Sequence, residues 1–558
     1  MRKYLSSRNL LFGILILAFV LRFWGAWNQD MIGDESADSF RAVGYIDFLG
    51  TSFQTQPIEW YKDTVLPFWS KLSFHDLPPL TILIQHVFFS VFGDSILVAR
   101  LPAILLGVGA VFLIYLLTNN LFLEYFKFDK KAGESFALLT AFIFAVNGAM
   151  VGIFRTSLLE PILLFFLLLN IYFFFKFLES AGRRTHYWWL FGITLGLIAL
   201  TKYTGAFILP VYFFYALLTK RAIFKDWRLY GSLVIAILLL SPVIVYNIYL
   251  YQARGHFDLQ IAYFLGQNTP EWSGSLGKIQ SPFSDIGKNL KDSYGISGLL
   301  GIIFGLALMA YGAYKTSRFI KLDRAFLFPL IYLLFITLLF IKIGSAHRFL
   351  SLYGFPFVIL LALTIYYFWN QPKWEYLFKF AAIILIIFEL GHSISSNFIK
   401  MPDYGIAKLD RYFEEEFRGK ESAVIPDSGN PHLDKVIQKF AAKKSEKKPA
   451  LFMIVYNDNI ALSTIEWIFY RRFFYHSIPA LFVENFNKVL SLQGPDYFKG
   501  FDIYFVQSVA NTLLNPFKTE KTAGLEFENS LKNQGLGPIK IIYGQKNLPM
   551  FKIYKFSL

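Results

Sequence analysis

The sequence predicts a polytopic α-helical membrane protein with about eleven transmembrane helices and a C-terminal extracytoplasmic α/β domain. Of its 558 residues, 55% are hydrophobic and 19% are aromatic, and the mean hydropathy is +0.45. Such a composition is too apolar for a soluble chain of this length. Apolar runs of spanning length occupy most of the first 400 residues, after which the residue pattern changes.

Runs of about 17 to 25 apolar residues are long enough to cross a bilayer as helices. The sequence has eleven such candidates, at 10–27, 97–118, 135–151, 158–178, 187–202, 204–219, 229–250, 297–314, 325–342, 349–369 and 377–395. A shorter run at 79–92 predicts an interfacial or re-entrant helix. The first run continues to Arg22 without a small-residue cleavage site, which favours an uncleaved membrane anchor over a signal peptide.

Lys and Arg are distributed unevenly between the predicted loops. With the N-terminus in the cytoplasm, the cytoplasmic segments hold 17 Lys and Arg, and the longer external segments hold only 9. The positive-inside rule selects this orientation, which we expect in the plasma membrane, and eleven crossings then put the C-terminus outside. The formal net charge of +15 is therefore topological, and nucleic acid is excluded as a partner.

Two domains are predicted, a transmembrane domain at 1–398 with an external loop at 28–96, and a soluble domain at 399–558. In the second domain, β-rich runs at 450–457, 500–507 and 539–544 alternate with amphipathic stretches, which is typical of an α/β domain. It has no recognisable catalytic motif, so we expect it to stabilise the protein or to dock an acceptor. Cysteine is absent, which excludes disulfides and thiol catalysis.

Acidic residues follow the first apolar run directly, in the segment MIGDESADSF at 31–40. A helix over 34–49 would be amphipathic, with its apolar face resting on the membrane surface. Its polar face would carry Asp34, Asp38, Arg41 and Tyr45, and its apolar face Phe40, Val43, Ile46 and Leu49. Taken alone, these acids favour a structural explanation, in which Asp34 caps the helix while Glu35 and Asp38 complement the positive end of its dipole.

Further charged and polar residues occur where external turns meet the ends of predicted helices. These are His75, Asp76, Arg100, Arg155, Glu160, Lys202, His347 and Arg348. Singly, a basic residue at a helix end is explained by its reaching the lipid headgroups. As a set at one depth, they predict a single cavity in which cations bind a phosphate and a carboxylate deprotonates a hydroxyl.

The ordered series GDE, HDLPPL, VARLPA, FRTSLLEP, LTKYTG and HRFL resembles the GT-C superfamily of membrane glycosyltransferases over roughly residues 10–370. The similar branch holds the protein O-mannosyltransferases and the bacterial aminoarabinose transferases. This resemblance implies juxtamembrane helices in the external loop at 28–96. It also implies transfer of a sugar from a polyprenyl phosphate to an extracytoplasmic protein, lipid or glycan acceptor.

The resemblance also assigns roles to individual residues. Asp34 matches the general base and Glu35 completes the acidic pair, while Arg100 matches an Arg that meets the lipid phosphate. Arg155 with Glu160 resembles an Arg-x-x-x-Leu-Asp pattern. Lys202 resembles the Lys of a Lys-Trp-x-Gly pattern. By single displacement, this arrangement would invert the anomeric centre of the sugar.

The chain departs from the aminoarabinose transferases in two places. Ala37-Asp38 stands where they have Arg-Tyr, and Leu77 stands where they have a Lys before Pro-Pro, so their donor sugar does not carry over. His75 is then a candidate to replace the missing cation. The site carboxylates have the atoms that a divalent metal needs, but no spacing specific to one metal, so a metal cofactor is left open.

Two other functions compete with this interpretation. A transporter or flippase for a lipid-linked or anionic substrate would also have charged residues within its helical domain, although such residues usually lie at mid-depth. An oligosaccharyltransferase of the same superfamily is a weaker alternative, because the Trp-Trp-Asp motif expected of its external domain is absent, and EWIFY at 466–470 does not replace it. The sequence leaves the sugar and the acceptor open.

Overall fold

The structure is a computed structural model that describes residues 6–51, 54–122, 129–180, 186–272, 282–315, 324–442, 448–457, 459–509 and 523–558. Helices make up nearly all of the regular structure up to residue 399, and a mixed β-sheet with flanking helices follows. The C-terminal α/β domain is therefore confirmed, while its boundary at 398/399 stays a prediction.

Within these ranges, eight helical stretches are long and apolar enough to cross a membrane. They are Ser7–Asn28, Ile96–Leu121, Leu159–Glu179, Trp227–Arg254, Asp285–Tyr311, Phe326–Ile343, Phe349–Trp369 and Glu375–Ile399. Shorter apolar helices are Leu80–Phe92, Tyr187–Thr201 and Tyr203–Thr219. A polytopic helical membrane protein is confirmed, and the number of eleven crossings stays a prediction.

The helices of the N-terminal part enclose a central helix. In chain order they are α1 (Ser7–Phe23), α2 (Asp34–Gly44), α3 (Pro57–Trp60), α4 (Leu80–Phe92), α5 (Ile96–Leu121), α6 (Lys130–Val146), α7 (Gly148–Ile153), α8 (Leu159–Glu179), α9 (Tyr187–Thr201), α10 (Ile208–Thr219), α11 (Trp227–Arg254), α12 (Leu259–Leu265), α13 (Pro282–Lys315), α14 (Arg324–Ile343), α15 (Gly354–Trp369) and α16 (Glu375–Ile394). The spanning window that contains α15 is 89% buried, whereas those of α1 and α16 are 17% buried. The outer helices α1 and α16 therefore turn most of their apolar surface toward lipid.

The C-terminal domain is built on a five-stranded mixed sheet. Its elements are α17 (Ile406–Glu416), β1 (Lys420–Ser422), α18 (Pro431–Ala441), β2 (Lys448–Ala450), β3 (Phe452–Tyr456), α19 (Leu462–Thr464), a π-helix (Ile465–Tyr470), α20 (Arg471–Tyr475), β4 (Ala480–Phe482), α21 (Val483–Gln493), β5 (Asp502–Ser508), α22 (Ala523–Asn533), β6 (Lys540–Tyr543) and β7 (Pro549–Phe556). The strand order is β4-β3-β5-β7-β6, with β3 parallel to β4 and β5 and with β7 antiparallel to its neighbours. Every residue of β3 is buried, as expected for a strand covered on both faces.

The apolar face of α2 is covered by protein. Phe40 is fully buried, and its ring lies 6.0 Å from Tyr470, 5.9 Å from Phe474 and 5.5 Å from Tyr475 of the C-terminal domain. The helix also ends earlier than expected, because Tyr45 adopts a left-handed conformation with φ of 52°. The expectation that this face rests on lipid is therefore wrong, since aromatic side chains of the C-terminal domain cover it.

Gly50 provides a test of how closely the C-terminal domain approaches the external segment. A Cβ at Gly50 would lie 2.3 Å from Tyr470 Cε2, whereas a Cβ at Gly93 would meet no atom within 4 Å. Both glycines have positive φ, so the backbone disfavours alanine at both positions, and only Gly50 adds a steric clash. We expect Gly50→Ala to lower the free energy of unfolding by about 1–3 kcal/mol more than Gly93→Ala. Equal unfolding temperatures of the two variants would contradict this close packing.

Candidate active site

Asp34 lies at the beginning of α2 with its carboxylate accessible. It follows the N-cap residue Gly33, and 56% of its side chain is exposed. The Arg348 guanidinium donates a hydrogen bond to its Oδ2. The structure thus presents an accessible anion beside a cation from the other end of the transmembrane domain.

Glu160 connects Arg348 to a second cation. Its Oε1 accepts a hydrogen bond from Lys202 Nζ at 2.6 Å and lies 3.7 Å from Arg348 Nε. Both cations also lie over the ring of Phe349, at 4.3 Å for Lys202 and 5.1 Å for Arg348. Burial alone would lower the pKa of Arg348, but Asp34 and Glu160 raise it above its ordinary value, so the guanidinium stays charged.

Four of the predicted site residues therefore form one cluster, which we call the Asp34 cluster. It consists of Asp34, Glu160, Lys202 and Arg348. Lys202 and Glu160 are buried, whereas Arg348 and Asp34 are partly accessible. Two cations balance two carboxylates here, and Arg348 Nε has no hydrogen-bond partner among the described residues.

Glu35 and Arg100 form a closed, buried ion pair next to this cluster. Arg100 Nε and Nη2 donate to the two oxygens of Glu35, each at 2.7 Å. The Ser157 amide and hydroxyl donate to Glu35 Oε1 at 2.8 and 3.1 Å. The remaining Arg100 hydrogen bonds go to the carbonyls of residues 26, 29 and 30. In this conformation Arg100 thus holds the turn before α2, and its predicted contact with a lipid phosphate stays a prediction.

Arg155 is a buried cation with unused donors. Its Nη1 donates to the carbonyls of Leu21 and Trp24, and its guanidinium lies 4.4 Å over the ring of Phe398. Among the described residues, its Nε and Nη2 have no hydrogen-bond partner. Burial and the nearby Arg100 lower the pKa of Arg155 to about 10, which still leaves it charged at neutral pH.

The other predicted residues lie outside the Asp34 cluster. Asp76 accepts two hydrogen bonds from Arg41, at 2.6 and 3.0 Å, and His347 is exposed with its Nδ1 3.4 Å from the Ser293 hydroxyl. His75 is fully buried, and burial, together with His256, lowers its pKa to about 3. The hypothesis that His75 replaces a missing cation stays a prediction, and the burial of its ring together with its lowered pKa disfavours the charged form that this role needs.

The sequence does not predict that two acids near Asp34 are buried. The sequence placed Asp38 on the polar face of α2, but it is 3% exposed, and burial together with Asp34 raises its pKa well above the usual range. Glu466 of the C-terminal domain is buried close to it. No local pattern indicates either position, because both depend on how the C-terminal domain covers α2. The described residues contain no group of three or more His, Asp or Glu side chains placed to hold a metal ion.

Comparison with known proteins gives matches over part of the sequence. Residues 76–246 match the model of the family described as dolichyl-phosphate-mannose-protein mannosyltransferase. In Bacillus subtilis (strain 168), "Putative mannosyltransferase YkcB" is 28% identical over 271 residues, 42% of this chain and 36% of that protein. "Putative mannosyltransferase YycA" of the same organism is 29% identical over 168 residues, 30% of this chain and 22% of that protein. The matched region therefore covers well under two thirds of either relative.

A solved structure resembles the chain over its full length. ArnT from Cupriavidus metallidurans in the apo state aligns over 99% of this chain and 98% of its own, with a TM-score of 0.52 and 12% sequence identity. At this identity, the likeness shows a shared fold. The matched family, the similar Bacillus proteins and the shared fold all fit the GT-C superfamily of membrane glycosyltransferases that the sequence resembles.

Proposed function

We propose that the protein is a glycosyltransferase that moves a sugar from a polyprenyl-phosphate donor to a hydroxyl group of an extracytoplasmic acceptor. The observation that carries this proposal is the Asp34 cluster, in which an accessible carboxylate faces a partly accessible arginine. The description of the matched family names a dolichyl-phosphate-linked mannose as donor and a protein as acceptor. We therefore favour a hexose such as mannose, carried by a polyprenyl phosphate.

The cations of the cluster supply what the leaving group needs. When the bond between C1 and the phosphate oxygen breaks, that oxygen keeps the electron pair and negative charge grows on the lipid phosphate. Arg348 is partly accessible, whereas Lys202 is buried. Glu160 lies between these two cations and contacts both. Fixed cations stabilise growing charge most strongly in a site that excludes water. In our proposal the donor phosphate binds the guanidinium of Arg348 and displaces the carboxylate of Asp34 from it.

This displacement leaves the carboxylate of Asp34 free to act as a base toward the acceptor hydroxyl. The acceptor hydroxyl attacks C1 from the face opposite the phosphate, and its proton passes to the carboxylate of Asp34 as the new C–O bond forms. One displacement inverts the anomeric configuration. The exposed side chain of Asp34 gives a hydroxyl direct access to its oxygens. We place this reaction on the outer face of the plasma membrane, with the N-terminus in the cytoplasm.

Arg348 is expected to contribute mainly to donor recognition. Replacement by alanine removes the guanidinium that we assign to the phosphate, and we expect kcat/KM for the donor to fall by about 10- to 100-fold. Arg348→Lys keeps the charge but loses the planar fork of donors, so its loss is expected to be smaller. Initial rates at varied donor concentration measure both effects, with the exposed Arg418→Ala as the control. Unchanged donor kinetics in Arg348→Ala would remove this residue from the phosphate site.

The experiment that tests the function separates chemistry from transport. Purified protein is reconstituted in vesicles with polyprenyl-phosphate mannose labelled in the sugar, and peptides rich in Ser and Thr are supplied as acceptors. A glycosyltransferase moves the label from the lipid to the peptide or, by hydrolysis, to water. A flippase moves the intact labelled lipid between leaflets and leaves the sugar attached, and that outcome would overturn the proposal.

A further inference from the structure

Glu466, a residue of the C-terminal domain, contacts the first turn of α2. The proposed mechanism does not use it. It lies in the π-helix Ile465–Tyr470, a type of helix that often occurs at functional sites. Glu466 is 1% exposed, and its Oε2 lies 3.2 Å from the hydroxyl of Ser36 in the first turns of α2. The contact joins residues that are 430 positions apart in the sequence.

The hydrogen bonds of Ser36 define the protonation state of this contact. The Ser36 hydroxyl lies 2.6 Å from the Gly33 carbonyl oxygen, which only accepts, so the single hydroxyl proton points there. With that proton directed at Gly33, the longer contact is a hydrogen bond when Glu466 supplies the hydrogen as a protonated carboxylic acid. Burial raises the pKa of Glu466 well above its usual range, which agrees with this assignment.

The charged groups that face Glu466 belong to α2. Asp34 and Asp38 oppose its ionisation, and Arg41 favours it. Its other oxygen, Oε1, has no hydrogen-bond partner among the described residues. A carboxylate here would be both buried and incompletely hydrogen-bonded, whereas the neutral acid satisfies Ser36 without a buried charge.

This series of contacts ends at Gly33, the residue immediately before Asp34, whose backbone conformation orients Asp34. Gly33 has φ of 58° and ψ of −133°, a conformation that side chains disfavour, and it is the N-cap of α2 immediately before Asp34. Its carbonyl oxygen accepts from the Ser36 hydroxyl, and that hydroxyl lies 3.2 Å from Glu466 Oε2. Packing of the aromatic side chains of the C-terminal domain on Phe40 holds the rest of the helix.

We propose that Glu466, as a protonated acid, is a positioning residue that holds the Gly33 turn through Ser36 and thereby directs the carboxylate of Asp34 toward the acceptor. This inference rests on the proposed role of Asp34 as general base. It makes the C-terminal domain a part of the active site, in addition to any role in stability or acceptor docking. The donor phosphate lies on the Arg348 side of the cluster, so Glu466 affects turnover more than donor affinity.

The test compares substitutions that keep or remove the donated hydrogen. Glu466→Gln retains an N–H donor for Ser36, and we expect it to keep most of the wild-type activity. Glu466→Leu removes the donor, and we expect kcat to fall by about 10- to 100-fold with little change in KM for the donor, because a small displacement of the base slows the chemical step. Glu415→Gln, on the exposed surface of the same domain, is the control.

Ser36→Ala removes the hydroxyl that contacts both Glu466 and Gly33. The result therefore does not depend on one variant. We expect a loss like that of Glu466→Leu and, because both remove one interaction, a double variant no slower than the slower single variant. Wild-type kcat in both folded single variants, or equal losses in Glu466→Gln and Glu466→Leu, would overturn the inference. An Asp34→Asn variant as active as the wild type would instead contradict the role of Asp34 as general base, on which this inference rests.

Discussion

Asp34→Asn is expected to reduce sugar transfer by about 100-fold or more, because an amide cannot take the proton of the acceptor hydroxyl. The protein should remain folded, since the side chain is 56% exposed and asparagine is also favourable at the beginning of a helix. Asparagine also still accepts a hydrogen bond from Arg348. Rates of label transfer, measured together with thermal unfolding in detergent, separate loss of the base from loss of structure.

Two companion variants sharpen this result. Asp63→Asn removes an exposed carboxylate from the same external segment and should leave the transfer rate unchanged. Asp34→Glu keeps a carboxylate but displaces it by one methylene, so we expect an intermediate rate. If Asp34→Asn transfers sugar as fast as the wild type, the base must be another group.

Arg100→Met is expected to lower the free energy of unfolding by about 3–5 kcal/mol, because it leaves the carboxylate of Glu35 buried without its counter-charge. Glu35 is 5% exposed and Arg100 1% exposed, so water cannot replace the lost hydrogen bonds. The carbonyls of residues 26, 29 and 30 lose a donor in the same variant. Denaturant titration or thermal unfolding of the purified protein measures the effect.

Arg100→Lys separates charge from geometry at the same position. Lysine keeps a cation near Glu35, but it cannot reproduce the two parallel hydrogen bonds of the guanidinium, so a smaller loss of stability is expected. Arg418→Met, at an exposed position, controls for the loss of a basic residue. If Arg100→Met unfolds at the wild-type temperature, the pair does not hold the turn before α2.

The proposal for Glu466 changes the interpretation of the C-terminal domain. The sequence shows no catalytic motif there, and EWIFY at 466–470 does not replace a Trp-Trp-Asp motif. In the structure, this stretch packs directly on α2, and Tyr470 donates a hydrogen bond to the Gly50 carbonyl at 3.0 Å. The domain therefore contacts the helix that presents the candidate base.

Much of the fold follows from local properties of the sequence. A long apolar run must satisfy its backbone hydrogen bonds within itself in lipid, so a helix can be predicted without knowledge of its neighbours. The buried strands β3 and β5 are equally clear, because each is a short run of β-branched and aromatic residues. Strand β7 was not predicted, since Lys552 and Lys555 interrupt its apolar residues.

The sequence alone located Asp34, Glu160, Lys202 and Arg348 at helix ends on one side of the membrane, and it determined the superfamily resemblance. Only the tertiary structure decided which partner each charge takes. It paired Arg100 with Glu35 across 65 residues, buried His75, and brought Glu466 to Ser36. These outcomes depend on distance and on exclusion of water between distant segments, and no local periodicity of the sequence encodes either one.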